Sequence, residues 1–472
     1  MANPNKILQW NCRGLKPNFD EINLLLNDHN PIAFCLQETF LKDSDTISFK
    51  KFNMFNHICT TGEKASGGVS ILINRKIPHS SVSLNTTLQA TAVKVTMHRE
   101  LTICSLYLPP SLPIDSDKLD DLVKQLPSPF LILGDFNAHN YIWGSDRTDA
   151  RGKLIEQFIL KNNTCIFNTT KSHTYLHPAS GSYTSIDLSI CDPTTLLDFS
   201  WRVGDDLCGS DHFPIFLENI GPPLLENLQK WKLRKADWNS FQALCASKIT
   251  SGCFDDVEDP IDTFSSLLHS IADETIPKTS ANPKRPNKPW FDEDCKQAIK
   301  QRKSALNKFD LRPTSDNLNN FLVFRAKARR TIKLSKRKSW QTYVSKLNSR
   351  SSIKKTWDMV RKISGKGHPS SVNHLKTVDG DVTSVKDIVD TLADTFSKHS
   401  SSENYSKKFQ NHKKKAEKKK LNFTSNNSEN YNKPFSLSEL KQSLNKSHDT
   451  SAGPDDIHYQ LLKHSFFPFC SS

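Results

Sequence analysis

LILGDFNAHN, Leu131 to Asn140, is the stretch on which the reading of this chain turns. Phe130 to Leu133 reads as a buried strand and Gly134 as a backbone able to turn. Asp135, Asn137 and His139 then emerge at alternate positions. A core strand ending in a carboxylate, an amide and an imidazole makes sense as a rigid rod that holds polar groups at the rim of a cleft. Taken alone, the string fits equally a turn whose Asp and Asn satisfy backbone donors. The rest of the first half decides between the two.

Ile7 to Trp10 is a short strand that delivers Asn11 and then the turn Arg13-Gly14. Phe19, Ile22, Leu25 and Leu26 share one helical face. Ile32 to Leu36 is a second apolar strand, running into Gln37-Glu38. Ser66-Gly67-Gly68 turns the chain into the strand Val69 to Asn74. Leu101 to Leu108 carries Tyr107 just before Pro109-Pro110 ends it. Leu154, Ile155, Phe158 and Ile159 mark another helix. SYTSIDLSI (182–190) reads as one strand holding Asp187, and SDHFPIF (210–216) sets Asp211 and His212 ahead of a last core strand. Singly these are bland: an acid at a strand end is commonly just solvated, and Asp-His pairs are common on surfaces. Together, Asn11, Glu38, Tyr107, Asp135, Asn137, Asp187, Asp211 and His212 all lie at or near the ends of apolar strands. Short strands with few helices between them predict a layered α/β sandwich, whose strand ends can converge on one rim. Several carboxylates in one cleft need a compensating cation. Oxygen donors without cysteine suit a hard ion such as Mg²⁺, with Mn²⁺ as its substitute, and not zinc. Such an ion beside a His and several acids is a means of hydrolysing a phosphoester.

At 472 residues the chain exceeds one ordinary domain. Residues 1–220 hold 19 Lys and Arg against 23 Asp and Glu, and the remainder 45 against 27. That asymmetry predicts a polyanion partner for the second half. The 11 cysteines form no C-x-x-C pair and no zinc spacing, and Cys35, Cys104 and Cys191 sit in apolar runs, as buried thiols do. The N-terminus has no signal-like apolar stretch and no run is long enough to span a bilayer. An intracellular protein without membrane contact is expected.

The strings QWNCRGL, CLQET, SGGVSILI, SLYLPP, LILGDFNAHN, SIDLSI and SDHFPI, in this order, resemble the endonuclease/exonuclease/phosphatase superfamily. More closely, they resemble the apurinic-type endonuclease domain of non-LTR (LINE-type) retrotransposon polyproteins, from about Lys6 to Phe216. The resemblance implies a four-layer α/β sandwich. It implies that Glu38 binds the metal, with Asn11 and Asp211 beside it. Asp135 would activate the attacking water, and Asn137 would hold Asp135 and the phosphate. Tyr107 and His212 would contact the scissile phosphate, with Asp187 fixing the imidazole. Ser210 would only shape its loop. His139 matches a recurrent position with no role assigned and is expected to be structural. The partners implied are target DNA and the element's own RNA, with action in the nucleus and residence also in the cytoplasm. The span 1–220 holds every motif and is expected to fold and act by itself.

Residues 221–289 read as a linker, proline-stiff and basic from Pro277 to Pro289. Trp231 and Trp238, seven apart, are expected to pack one helix onto the neighbouring domain, and CFDDVED (253–259) imitates a polymerase turn without a flanking apolar strand. Residues 290–430 read as a basic, mostly helical connector. Asp292, Glu293 and Asp294 cap its first helix. A second helix, from Asn319 to Asn348, carries the stripe Phe321, Phe324, Ala328 and Ile332. Arg325, Arg329, Arg330 and Arg337, with Lys336, are expected on the opposite face as a phosphate-tracking surface. KKKAEKKK (413–420) reads as disordered. Residues 431–472, with Gly453-Pro454-Asp455, resemble the truncated start of a reverse transcriptase domain, so polymerisation is not expected. Two rival readings remain: a nucleic-acid-binding relic without relevant catalysis, and a hydrolase of lipid or inositol phosphates. The intact acid set disfavours the first, and the basic second half disfavours the second.

Overall fold

The computed structural model describes residues 5–61, 64–170, 172–221, 230–255, 257–279, 288–347, 352–364, 375–377, 380–382, 385–419, 436–450, 452–453 and 455–465. The chain divides into two compact units, Met1–Glu226 with Lys284–Phe396, and Asn227–Pro283 with Ser397–Ser472.

The first unit is built on two six-stranded sheets. One contains β1 (Lys6–Asn11), β2 (Ala33–Gln37), β3 (Phe52–His57), β4 (Val69–Asn74), β11 (Phe199–Val203) and β12 (Ile215–Asn219), in the order β11-β12-β1-β2-β4-β3. The other contains β5 (His79–Val82), β6 (Gln89–Thr96), β7 (Glu100–Tyr107), β8 (Phe130–Asp135), β9 (Cys165–Ile166) and β10 (Asp187–Cys191), in the order β9-β10-β8-β7-β6-β5. Period-2 alternation sorts their side chains into layers. Ile7, Cys35, Ile71, Ile103, Leu131 and Leu133 meet between the sheets. Leu8, Trp10, Phe34 and Leu72 point outward onto Ile22 and Leu26 of helix α1 (Phe19–His29). Cys104, Leu106, Ile132 and Ile190 point outward onto α2 (Ser116–Gln125) and α3 (Ala150–Lys161), meeting Leu119, Leu122, Ile155 and Phe158. The result is the four-layer α/β sandwich.

Polar side chains stitch the sheets together near the ends that carry the acids. Gln9 donates to the carbonyl of Gly134 (2.9 Å) and accepts from Ser189 Oγ (2.9 Å). Gln37 Nε2 donates to Ser105 Oγ (2.9 Å) and to the carbonyl of Leu133 (3.2 Å). Gly134 is not a turn, as the sequence suggested, but lies inside β8. A Cβ there would sit 2.3 Å from the carbonyl oxygen of Leu106 on β7, so only glycine permits this approach. SYTSIDLSI also divides. Tyr183–Thr184 pairs with Tyr175–Leu176, while β10 starts at Asp187. The break comes where the backbone amides of Ile186 and Asp187 both donate to Thr174 Oγ1, at 3.2 and 3.1 Å.

Helices α6 (Glu293–Leu311) and α7 (Ser315–Val344) pack as a hairpin on this sandwich. Asp292 caps α6 by accepting from the amide of Cys295, as expected. Phe309 and Phe321 join Leu176, Leu207 and Phe213 in one cluster, and Trp290, Cys295 and Ile332 cover Leu24. Arg302 is 1% exposed and bonds Glu21 (2.6 Å) and Asp206 (2.7 Å). Arg325 and Arg329 do not lie opposite the apolar stripe. Arg325, four residues after Phe321, is half-buried against the sandwich, and Arg329, one turn further on, is exposed but reaches Asn18 (2.7 Å). Arg330 and Arg337 are also exposed.

In the second unit the stretch expected as a linker holds α4 (Trp238–Lys248) and α5 (Pro260–Thr275). Phe241, Cys245, Leu268 and Ile271 form a core with Leu461 from the helix Tyr459–Ser465. Trp231 and Trp238 do not share a helix: Trp231 donates to Asp273 (2.7 Å), and Trp238 stacks on His464 with centroids 4.0 Å apart. The CFDDVED string reaches into a one-turn 3-10 segment, Ser251–Phe254, and Asp256 lies outside the described residues. Disorder was expected for 413–420, but residues 413–417 belong to a helix, Lys407–Glu417, and Lys420 lies outside the described residues. Ser406 caps that helix at Phe409, and Lys413 pairs with Glu417. Pro454 lies outside the described residues. No helix among the described residues is long and apolar enough to cross a membrane.

Candidate active site

Strand register assembles the site. Asp135, at the end of β8, stands opposite Asp187 on β10 and opposite Tyr107 on β7. Asn11 ends β1 in the facing sheet, beside Gln37, so Glu38 follows at the same rim. Asn11, Glu38, Asp135 and Asp187 therefore reach one end of the sandwich, and Glu38, Asp135, Asn137, Asp211 and His212 line a cleft of about 510 Å³ there.

Asn11 is the hub. Its Nδ2 donates to Asp135 Oδ2 (2.8 Å) and Glu38 Oε1 (3.0 Å), while its Oδ1 accepts from the amide of Arg13 (3.1 Å). It braces the two carboxylates with its nitrogen. Tyr107 donates to Glu38 Oε1 (3.0 Å). The Asn137 amide donates to Asp135 Oδ1 (3.0 Å), and its side chain donates to the carbonyl of Leu108 (3.2 Å). Glu38 and Asn137 hold left-handed backbone, φ 49° and 47°, which L residues rarely adopt and which concentrates at functional sites. His212 Nδ1 lies 2.8 Å from Asp187 Oδ2, and its own carbonyl accepts from Trp10 Nε1 (2.9 Å). Asp211 is engaged by Arg13. His139 lines the cleft and bonds Thr184 Oγ1 (3.0 Å).

Burial and the neighbouring Asp187 and Glu38 push the Asp135 carboxyl well above its usual range, which suits a proton acceptor. Burial disfavours a charged His212, but the ion pair with Asp187 overrides it and raises the imidazole above its usual value. A group raised in the fold contributes stability that is fully present below its unfolded value and is lost as pH rises through the folded one. NMR of the ring nitrogens is expected to find His212 still protonated above the usual imidazole range, and Asp187→Asn is expected to bring its titration down. A wild-type ring that titrates at the ordinary value would remove the imidazolium from the site.

The ligand-type atoms of Asp135, Asp187 and His212 lie within 4.8 Å of one another. Asp187 and His212 spend theirs on each other, so this trio reads as an ion-paired acid–base group. Asp187 Oδ1 is buried with no hydrogen-bond partner among the described residues, and Glu38, Asp135 and Asp211 add carboxylate oxygens to the lining of the cleft. The nearby Cys12 thiol is held protonated by burial and by Glu38, and it donates to the Gln37 carbonyl (3.4 Å). The donor set is oxygen, which suits a hard divalent ion.

Several contributors escaped the sequence reading. Arg13 was read as a turn residue only. Tyr175, whose ring lies 4.7 Å from that of His212, sits in a two-residue strand too short to show a period. Arg151 bonds the carbonyls of Asn137 (2.8 Å), Phe136 (3.0 Å) and Leu108 (3.2 Å), clamping the Asn137 turn from α3. Arg325 and Arg329, expected to track phosphates, bond the Ser210 carbonyl and Asn18.

Residues 101–216 match the family described as endonuclease-reverse transcriptase. The chain is 24% identical over 279 residues to the probable RNA-directed DNA polymerase from transposon X-element of Drosophila melanogaster, covering 57% of this chain and 30% of that protein. It is 24% identical over 285 residues to the RNA-directed DNA polymerase from mobile element jockey of Drosophila funebris, covering 59% and 31%. The match thus spans under a third of these relatives' length. Among solved structures, the endonuclease domain of TRAS1, a telomere-specific non-LTR retrotransposon, aligns at 22% identity and a TM-score of 0.40, covering 46% of this chain and 99% of that one. The AP endonuclease LMAP from Leishmania major aligns at 12% and 0.40, covering 47% and 89%. Over residues 101–216 the chain is therefore similar to the endonuclease-reverse transcriptase family, and the relatives it matches are RNA-directed DNA polymerases of Drosophila mobile elements.

Proposed function

We propose that this chain is a metal-dependent phosphodiesterase that nicks DNA where a mobile element inserts, leaving a 3′-hydroxyl for reverse transcription. The observation that carries it is the meeting of a His212–Asp187 ion pair with Asp135, Glu38, Asn11 and Tyr107 around one cleft. Asp135, fixed at both oxygens by Asn11 and Asn137, takes the proton of the attacking water. His212, charged and oriented by Asp187, donates to a phosphate oxygen as negative charge builds there. Tyr107 keeps its proton on Glu38 and fixes that carboxylate. Glu38, with Asp211 nearby, would hold Mg²⁺ or Mn²⁺, which supplies charge neutralisation on the phosphate. Arg330 and Arg337, exposed on α7 with Lys333, offer contacts to the backbone of DNA or element RNA.

The purified chain is expected to convert supercoiled plasmid to nicked circles in Mg²⁺ and to stop in EDTA. Intact plasmid in Mg²⁺, or nicking indifferent to EDTA, would reject this reading.

A further inference from the structure

We infer that Arg325 is a positioning residue for the Ser210–His212 loop, which makes the α6–α7 hairpin a working part of the phosphodiesterase site and not a spacer. The inference rests on the proposed function above. Arg325 Nη1 donates to the Ser210 carbonyl at 2.9 Å. Ser210 is itself a node, since its Oγ donates to the Asn11 carbonyl (2.8 Å) and accepts from the His212 amide (3.3 Å). One helical turn on, Arg329 Nη2 donates to Asn18 Oδ1 (2.7 Å) and the Gly209 carbonyl (3.4 Å), and Asn18 donates to the Cys12 carbonyl (2.6 Å). Two arginines of one helix thus hold the loop that follows Asn11 and the loop that presents His212.

The hairpin can do this because it is fixed. Arg302 anchors α6 to Glu21 and Asp206, and Phe309 and Phe321 pack on Phe213, the residue after His212. The same helix pair backs one wall of the cleft. Asp310 accepts from Tyr183, which lines it, and Gly181 approaches Phe309 so closely that a Cβ would lie 2.9 Å from that ring. Charge-assisted bonds to backbone carbonyls fix loop geometry more firmly than neutral ones. A reacting group displaced by about 1 Å can cost on the order of 10²-fold in rate.

The test uses the full chain with Arg325→Leu, Arg325→Lys and, as a charge-matched control on the exposed side of α7, Lys338→Met. Plasmid nicking is read as kcat and KM, and hydrogen exchange is read on the peptide spanning 207–213. Arg325→Leu is expected to lower kcat by about 10–100-fold with KM nearly unchanged and to speed exchange in that peptide. Arg325→Lys is expected to recover part of both, and Lys338→Met to match the parent. A rise in KM at constant kcat would make Arg325 a DNA contact and overturn the inference. Unchanged exchange in 207–213 would overturn it too, and that readout stands whether or not the parent chain nicks. A parent that fails to nick rejects the proposed function instead.

Discussion

Asp135→Asn is expected to lower plasmid nicking by about 10²–10⁴-fold without lowering the melting temperature. The two parts of this expectation have separate causes. Asp135 is 1% exposed, and its oxygens accept from Asn11 Nδ2 and the Asn137 amide. Asparagine keeps the shape but cannot take a proton from water, so the chemical step loses its base. The same change removes one negative charge beside buried Asp187 and half-buried Glu38, whose repulsion adds to burial in raising the Asp135 carboxyl. Folding gains from that relief what it loses where one amide edge meets a donor. Glu38→Ala and His212→Ala are expected to fall into the same activity range, the latter also leaving Asp187 without its ion-pair partner. Circular dichroism, melting and nicking on the three variants decide it. Parent-like nicking by all three would place the chemistry elsewhere.

The sandwich and its rim were legible because both rest on short-range rules. Alternation in Val69 to Asn74 and apolar continuity in Phe130 to Leu133 fix strands, and polar residues where such strands end fix a rim. The row Asp187–Asp135–Tyr107 then follows from register, which the buried faces enforce. Asn11 was legible as a member but not as the brace it is, because which end of an amide faces a carboxylate depends on partners far apart in sequence. The docking of α6–α7 was hidden for a related reason. Arg302 lies 281 residues from Glu21 and 96 from Asp206, and each alone looks like a surface charge. A basic helix reads as solvated until the acids that bury it are placed. The break at Ser185-Ile186 came from Thr174, whose hydroxyl takes two backbone amides. Periodicity carries no such signal.

Arg302→Ala is expected to destabilise the first unit by about 3–5 kcal/mol, the range for removing one partner of a buried ion pair. Arg302 is 1% exposed and sits between Glu21 and Asp206, whose side chains are 9% and 6% exposed. Deleting the guanidinium leaves two buried carboxylates facing a cavity, with no cation to offset their desolvation. Neutralising both acids together with the arginine, as Glu21→Gln, Asp206→Asn and Arg302→Met, should recover much of the loss, because the cost lies in stranded charge more than in the pair itself. The same logic bears on how much chain the sandwich needs. A fragment ending at residue 220 lacks Arg302 and also exposes Leu24, Leu176, Leu207 and Phe213, which α6, α7 and Trp290 cover in the longer chain. It is expected to melt lower and associate more readily than a fragment ending at residue 347. Denaturant unfolding of the parent, Arg302→Ala and the triple variant, together with melting of the two fragments, measures each step. Parent-like stability in Arg302→Ala, or equal melting of the fragments, would mean the hairpin rests on the sandwich without supporting it.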